Sequence, residues 1–169
     1  MIITERLILT PPVLADFEES YATTADPDTV AFITGKPITR EESWSRTLRN
    51  IGHWTAFTYG IFTIREKNTG AYIGETGLAH FARGLGEHFD PAPEAAWVLN
   101  KSAHGRGYAT EAVRAAHDWH MAHKPTKRTV CIIDPQNTAS LRVAKKLGYR
   151  TFGQTEYRAK PVLMLERLA

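Results

Sequence analysis

At 169 residues the chain has the length of one domain, residues 1–169, with enough material to bury a substantial core. Its 21 basic and 18 acidic residues leave a net charge of +3 with no run of five Lys or Arg, so nucleic acid is not an expected partner, while the small positive excess favours a polyanionic cofactor. The single Cys131 cannot close an intrachain disulfide, the start lacks a basic segment leading into a long apolar one, and no membrane span is legible, so the expected compartment is the cytoplasm.

The first element, Thr4 to Thr10, is rich in Leu and β-branched residues and reads as a strand ended by Pro11-Pro12. Asp16 to Thr24 forms a short amphipathic helix broken at Asp26-Pro27-Asp28. Thr39 with Glu42 three residues on is a capping box, and Trp44, Leu48 and Ile51 supply the apolar stripe of a helix that Gly52 closes. Trp54 to Arg65 and Ala71 to Phe81 are strands joined by the hairpin connection Glu66 to Gly70. A loop of Gly, Pro and charge, Ala82 to Pro93, precedes the strand Glu94 to Leu99.

Helical spacing returns at Thr110 to His123, where Ala109, Ala112, Val113, Ala116 and His120 share a face and Pro125 ends the pattern. Thr129 to Ile133 is a short buried strand. Asn137 to Leu147 is a helix closed by Gly148, with Tyr149 as its apolar partner. Strands near Tyr149–Tyr157 and Val162–Arg167 finish the chain, the last of them an exposed edge open to a second copy, so that monomer and homodimer both stand. The order predicts an α+β fold, an α/β/α sandwich around a mixed, mostly antiparallel sheet of about seven strands with one parallel, right-handed β-α-β seam. A ligand belongs at the C-terminal ends of the seam strands.

Chemistry concentrates in the turn His104-Gly105-Arg106-Gly107-Tyr108-Ala109-Thr110, between the strand at Glu94–Leu99 and the helix that follows. Two glycines permit a tight turn and close backbone approach, and the free N–H groups and dipole of a helix start favour an anion such as phosphate. No Walker A pattern occurs, and Thr110 at the third glycine position with only one β-α-β unit argues against a dinucleotide fold.

Gly105-Arg106-Gly107-Tyr108-Ala109-Thr110-Glu111-Ala112 resembles the acetyl-CoA signature of the GCN5-related N-acetyltransferase (GNAT) superfamily. Thr4-Glu5-Arg6-Leu7-Ile8-Leu9 resembles the start of its ribosomal-protein-alanine (Rim-type) branch, and Asn137 to Tyr149 resembles that branch's second cofactor motif. His104 departs from the superfamily's usual Gln or Arg. The resemblance implies an N-acetyltransferase moving acetyl from acetyl-CoA to a primary amine, a protein N-terminus or a small molecule, by direct attack in a ternary complex. It also implies cofactor contacts from Trp97, Val98 and Leu99, from His104 to Thr110, and from Asn137, Ser140 and Arg142, with Lys146 beside Arg142 for the 3′-phosphate.

Acyl transfer from a thioester needs a base for the amine, a donor for the oxyanion and a proton for the thiolate. Glu94, at the start of the strand, is the candidate base through a water, and the resemblance assigns the other two tasks to the backbone N–H of Leu99 and to Ser140. Glu75 is a rival base and water alone a third option, with His80 and His88 weaker; Trp97 either flanks the pantetheine arm or fills core. His117, His120 and His123 lack acidic or Cys company, so no metal is expected, and Cys131 among aliphatics is no nucleophile. A non-catalytic acyl-CoA-binding module and a dinucleotide oxidoreductase remain as alternatives. The acceptor carries no motif.

Overall fold

Alternation along the strands places Phe62 and Ile64 on one side of the sheet and Thr63 and Arg65, which bond Asp16, on the other. The computed structural model describes residues 1–168. Its strands are β1 (Ile2–Ile3), β2 (Leu7–Thr10), β3 (Ile61–Glu66), β4 (Tyr72–Ala79), β5 (Glu94–Leu99), β6 (Arg128–Ile133), β7 (Arg150–Tyr157) and β8 (Lys160–Leu168). They form one 8-stranded sheet in the order β1-β2-β3-β4-β5-β6-β8-β7, antiparallel except for β5 against β6. The helices are α1 (Phe17–Ala25), α2 (Pro27–Val30), α3 (Arg40–Phe57), α4 (Tyr108–His123) and α5 (Thr138–Lys146). The expected α/β/α arrangement with one parallel seam is what the chain adopts.

Four details differ from the sequence reading. The first strand is two, because the Thr4 N–H donates to the Leu7 carbonyl at 2.9 Å and folds Ile2–Ile3 back onto Ile8–Leu9. Helix α3 runs through Gly52 to Phe57, so Trp54 and Phe57 are helical and the next strand starts only at Ile61. A mid-helix glycine costs about 1 kcal/mol. That loss is offset by Trp54, whose ring packs at 4.8 Å from Phe62 and 5.5 Å from Trp119 while Nε1 donates to the Ile61 carbonyl.

The inward face of α3 also differs. Trp44 and Leu48 are exposed, whereas Ser43, Thr47 and Asn50 are buried. This side of the sheet carries polar side chains, so α3 turns its small polar positions inward. Finally, β8 lies inside the sheet and β7 is the edge, because Val162 and Leu165 of β8 are buried while β7 has no buried residue.

The apolar core lies between the sheet and α4 with α5, where Ala112, Val113 and Ala116 meet Leu7, Ile64, Ile133 and Ala144. Burying a side chain of Leu or Ile size is worth about 1.5–3 kcal/mol each, so this layer carries most of the stability. The opposite face, with α1 and α3, is the one that leaves room for polar chemistry.

Candidate active site

After Glu94 the parallel seam opens. Glu94 opposite Val130 is the single paired position between β5 and β6, fixed by the Val130 N–H on the Pro93 carbonyl at 3.0 Å. Beyond it β5 stays laddered to β4 alone. The Asn100 N–H bonds the Ile73 carbonyl at 2.9 Å, and since backbone groups alternate sides along a strand, the N–H groups of Leu99 and Trp97 face away from β4, into the gap. Val98 turns its backbone to β4 instead and lines the far side of the strand.

The chain leaves β5 through His104, whose Nε2 donates to the Leu99 carbonyl at 3.0 Å. Gly105 and Gly107 adopt φ of +73° and +80°, a region open to glycine and strained for other residues. Nothing lies within 4 Å of where a Cβ on Gly105 would stand, so the space over the turn is clear. The first N–H groups of α4 have no intrahelical acceptor and point into that space, which suits a pyrophosphate.

The first strands hold this turn in place. Glu111, in the first turn of α4, accepts from Thr4 Oγ1 at 2.6 Å, from the Arg6 N–H at 3.0 Å and from Arg6 Nε at 2.7 Å. Arg6 also donates to the Arg106 carbonyl at 2.8 Å. The Thr4-Glu5-Arg6 stretch is thus a clamp on the helix start. Burial works against the Glu111 charge, but the Thr4 and Arg6 bonds outweigh it and hold its pKa below the usual carboxylate range. Glu111→Gln should therefore lower stability near neutral pH by about 1 kcal/mol, discounted because Arg6 is partly exposed. The difference from the unaltered protein is full above the ordinary carboxylate pKa and vanishes as pH falls through the depressed folded value. Denaturant melts at several pH values measure it.

Across the gap, Asn137 caps α5, its Oδ1 accepting from the Ser140 N–H at 3.0 Å. Trp97 Nε1 donates to Ser140 Oγ at 3.2 Å, which leaves the hydroxyl hydrogen free to be donated elsewhere. A cavity of about 220 Å³ is lined by Glu94, Trp97, Ile133, Asn137 and Ser140 among others. On the other side of β5 a second cavity, about 590 Å³, is walled by α3 and β4, and Arg83, Ala96 and Trp97 border both. Arg142 is exposed on α5, outside both cavities.

The two carboxylates differ. Glu75 is saturated: Oε1 accepts from Ser20 Oγ at 2.5 Å and Tyr72 OH at 3.1 Å, and Oε2 pairs with Arg46. Glu94 is engaged through Oε2 only, by Arg83 Nε at 2.5 Å, and Oε1 has no partner among the described residues. Burial raises the Glu94 pKa above the ordinary carboxylate value even though the Arg83 guanidinium works against that.

A profile described as "Acetyltransferase (GNAT) domain" matches residues 6–150. The chain belongs to this family. A putative GnaT-family acetyltransferase from Bordetella pertussis is 31% identical with a TM-score of 0.86, each chain covered to 98%. An uncharacterized N-acetyltransferase of Bacillus subtilis, YnaD, is 27% identical over 152 residues, covering 90% of this chain and 84% of its own. A spermidine N-acetyltransferase from Vibrio cholerae, solved with CoA and spermine, shares the fold at 14% identity with a TM-score of 0.77, over 98% of this chain and 96% of its own. This GNAT chain is accordingly an acetyltransferase that takes acetyl from acetyl-CoA and transfers it to an amine.

The remaining sequence candidates go elsewhere in the GNAT fold. His117 bonds the Val113 carbonyl and Tyr149 OH, His120 bonds Thr126, and His123 bonds the Trp119 carbonyl, so the three do not converge. Among the described residues no group of three or more potential metal ligands forms, and no helix is long and apolar enough to cross a membrane. Burial pushes the Cys131 thiol well above its ordinary pKa. His80 donates its backbone N–H to His53 Nε2 at 2.9 Å.

Sequence reasoning missed Arg46, Arg49 and Arg83. The first two had a signal, since Ser43, Thr47 and Asn50 form a small polar stripe beside them. Arg83 had none, because its pairing with Glu94 is made across an irregular loop.

Proposed function

We propose that the acetyl thioester lies in the gap between β5 and β6 and that the amine reaches it from the cavity walled by α3. The observation that carries this reading is the divergence of β5 from β6 directly after the Glu94–Val130 pair. It leaves unpaired N–H groups facing the gap between the two strands. The amine nitrogen attacks the thioester carbonyl carbon. Glu94, through Oε1 or a water on it, takes the amine proton, and burial, by raising its pKa, makes it a stronger base than an ordinary carboxylate. The Leu99 N–H donates to the oxyanion. The C–S bond then breaks, and Ser140 supplies the proton to the departing thiolate. Asn137, the turn from His104 to Thr110 and the indole of Trp97 hold the CoA arm, with Arg142 at its outer end. Glu75, with both oxygens engaged, anchors Arg46 and is not the base.

A thiol-release assay with acetyl-CoA over α-amines, polyamines, aminoglycosides and N-terminal peptides tests the reading. Amine-dependent CoA release with intersecting initial-rate lines is expected, as a ternary complex requires. Parallel lines would indicate a covalent acetyl-enzyme and overturn direct attack. CoA binding without release on any amine would leave a binding module.

A further inference from the structure

The cavity walled by α3 is unusually rich in arginine for an amine-binding site. Arg46, Arg49, Arg83 and Arg158 line it, against Glu41, Glu42 and Glu75. The acids are already committed or lie outward. Glu75 holds Arg46, and Arg83 is held by Glu94 from the neighbouring cavity. Glu42 closes the α3 capping box on the Thr39 N–H at 2.7 Å. Glu41 is exposed in the first turn of the helix.

Arg158 is exposed and stacks over the Tyr157 ring at 5.3 Å, and on α3 two further donor sets are left over. Arg49 has no carboxylate within ion-pair distance among the described residues. Its contacts are the Asn50 Oδ1 at 3.4 Å, too long to satisfy a guanidinium, and the Phe81 ring at 5.4 Å. Nη1 of Arg46 is buried with no hydrogen-bond partner. Residues 46 and 49 stand three apart on α3, so the two guanidinium groups come from one helix face. Arg49 stands exposed at the cavity's edge, and desolvation, then the charges of Arg46 and Arg83, lower its pKa while the Glu75 carboxylate works the other way.

A leftover buried donor and an uncompensated guanidinium suit a planar carboxylate, which Arg binds through two parallel N–H bonds. They are unsuited to a polyamine, whose second cation would meet them. The volume of about 590 Å³ fits a small ligand. We propose that the acceptor is a small primary amine that carries a carboxylate, an amino acid or a close analogue. Arg49 and Nη1 of Arg46 hold its carboxylate, and its amine is presented to β5 at Ala96 and Trp97. This rests on the acetyl-transfer reading of the same site.

The test is a thiol-release panel of matched triplets, each an amino acid, its amide and the amine lacking the carboxyl group, with spermidine, an aminoglycoside and an acidic N-terminal peptide beside them. The carboxylate members should exceed their neutral partners in kcat/KM by about tenfold or more, the scale of one charge-assisted contact. Arg49→Gln should erase that preference through KM, and Arg49→Lys should keep part of it. CoA affinity by calorimetry should be unchanged in both, which also reports that the variants fold. Equal or better turnover of amides, polyamines or the peptide overturns the proposal, as does an Arg49→Gln preference equal to the parent's. Silence of every amine overturns it as well, and CoA binding then tells whether the donor half of the site survives. The triplet comparison on the unaltered protein needs no variant.

Discussion

Glu94→Gln should lower kcat by about a hundredfold, the lower range for loss of a general base, while the affinity for acetyl-CoA stays within about twofold. Gln keeps the shape and can still accept from Arg83, so the protein should fold. The pH dependence separates a base from a structural carboxylate. In the unaltered protein kcat/KM should fall as pH drops through the raised Glu94 pKa, and that limb should disappear in Glu94→Gln. Stability moves the opposite way. A carboxyl whose folded pKa is raised holds its proton longer than the unfolded chain does, so its contribution is full below the ordinary carboxylate value and is lost as pH rises through the folded one. Activity thus rises across the window in which this group's stabilisation falls. A Glu94→Gln enzyme with parental kcat and an unchanged acid limb would remove Glu94 from the mechanism.

Gly107→Ala should weaken acetyl-CoA binding by roughly tenfold or more. At φ +80° an alanine carries about 1–2 kcal/mol of strain, which the turn can relieve only by rotating the N–H groups away from the phosphates. A Cβ there would stand 3.4 Å from Arg6 Nη2, an ordinary contact, so the strain of the backbone carries the effect. The effect should appear in the dissociation constant by calorimetry, with little change in kcat at saturating donor. An unaltered dissociation constant would mean that the turn does not hold the pyrophosphate.

The local conformations on the proposed donor side were legible in the chain. Glycines at 105 and 107, the Asn137 cap and Gly148 each act on their own few residues, so their positions in the chain fix the conformation. The Thr4–Arg6 stretch could be recognised from its residues, but its task, bonding Glu111 more than a hundred residues away, shows only in the fold. The end of α3 was misread for a related reason. Gly52 is a local stop signal, and it is overridden by Trp54 packing on Phe62 of the next strand and on Trp119, which is distant in sequence.

Sequence by itself determined the α+β order and the parallel seam, which follow from periodicity, and, through its resemblance to the GNAT superfamily, an acetyl-CoA donor. Tertiary structure alone decided the electrostatics of the acceptor side. Whether Glu75 or Glu94 keeps a free oxygen depends on Ser20, Tyr72, Arg46 and Arg83, which come from α1, β4, α3 and a loop. Whether an arginine is paired or left over is likewise a matter of which carboxylates the fold brings within a few ångströms, and no spacing along the chain records that.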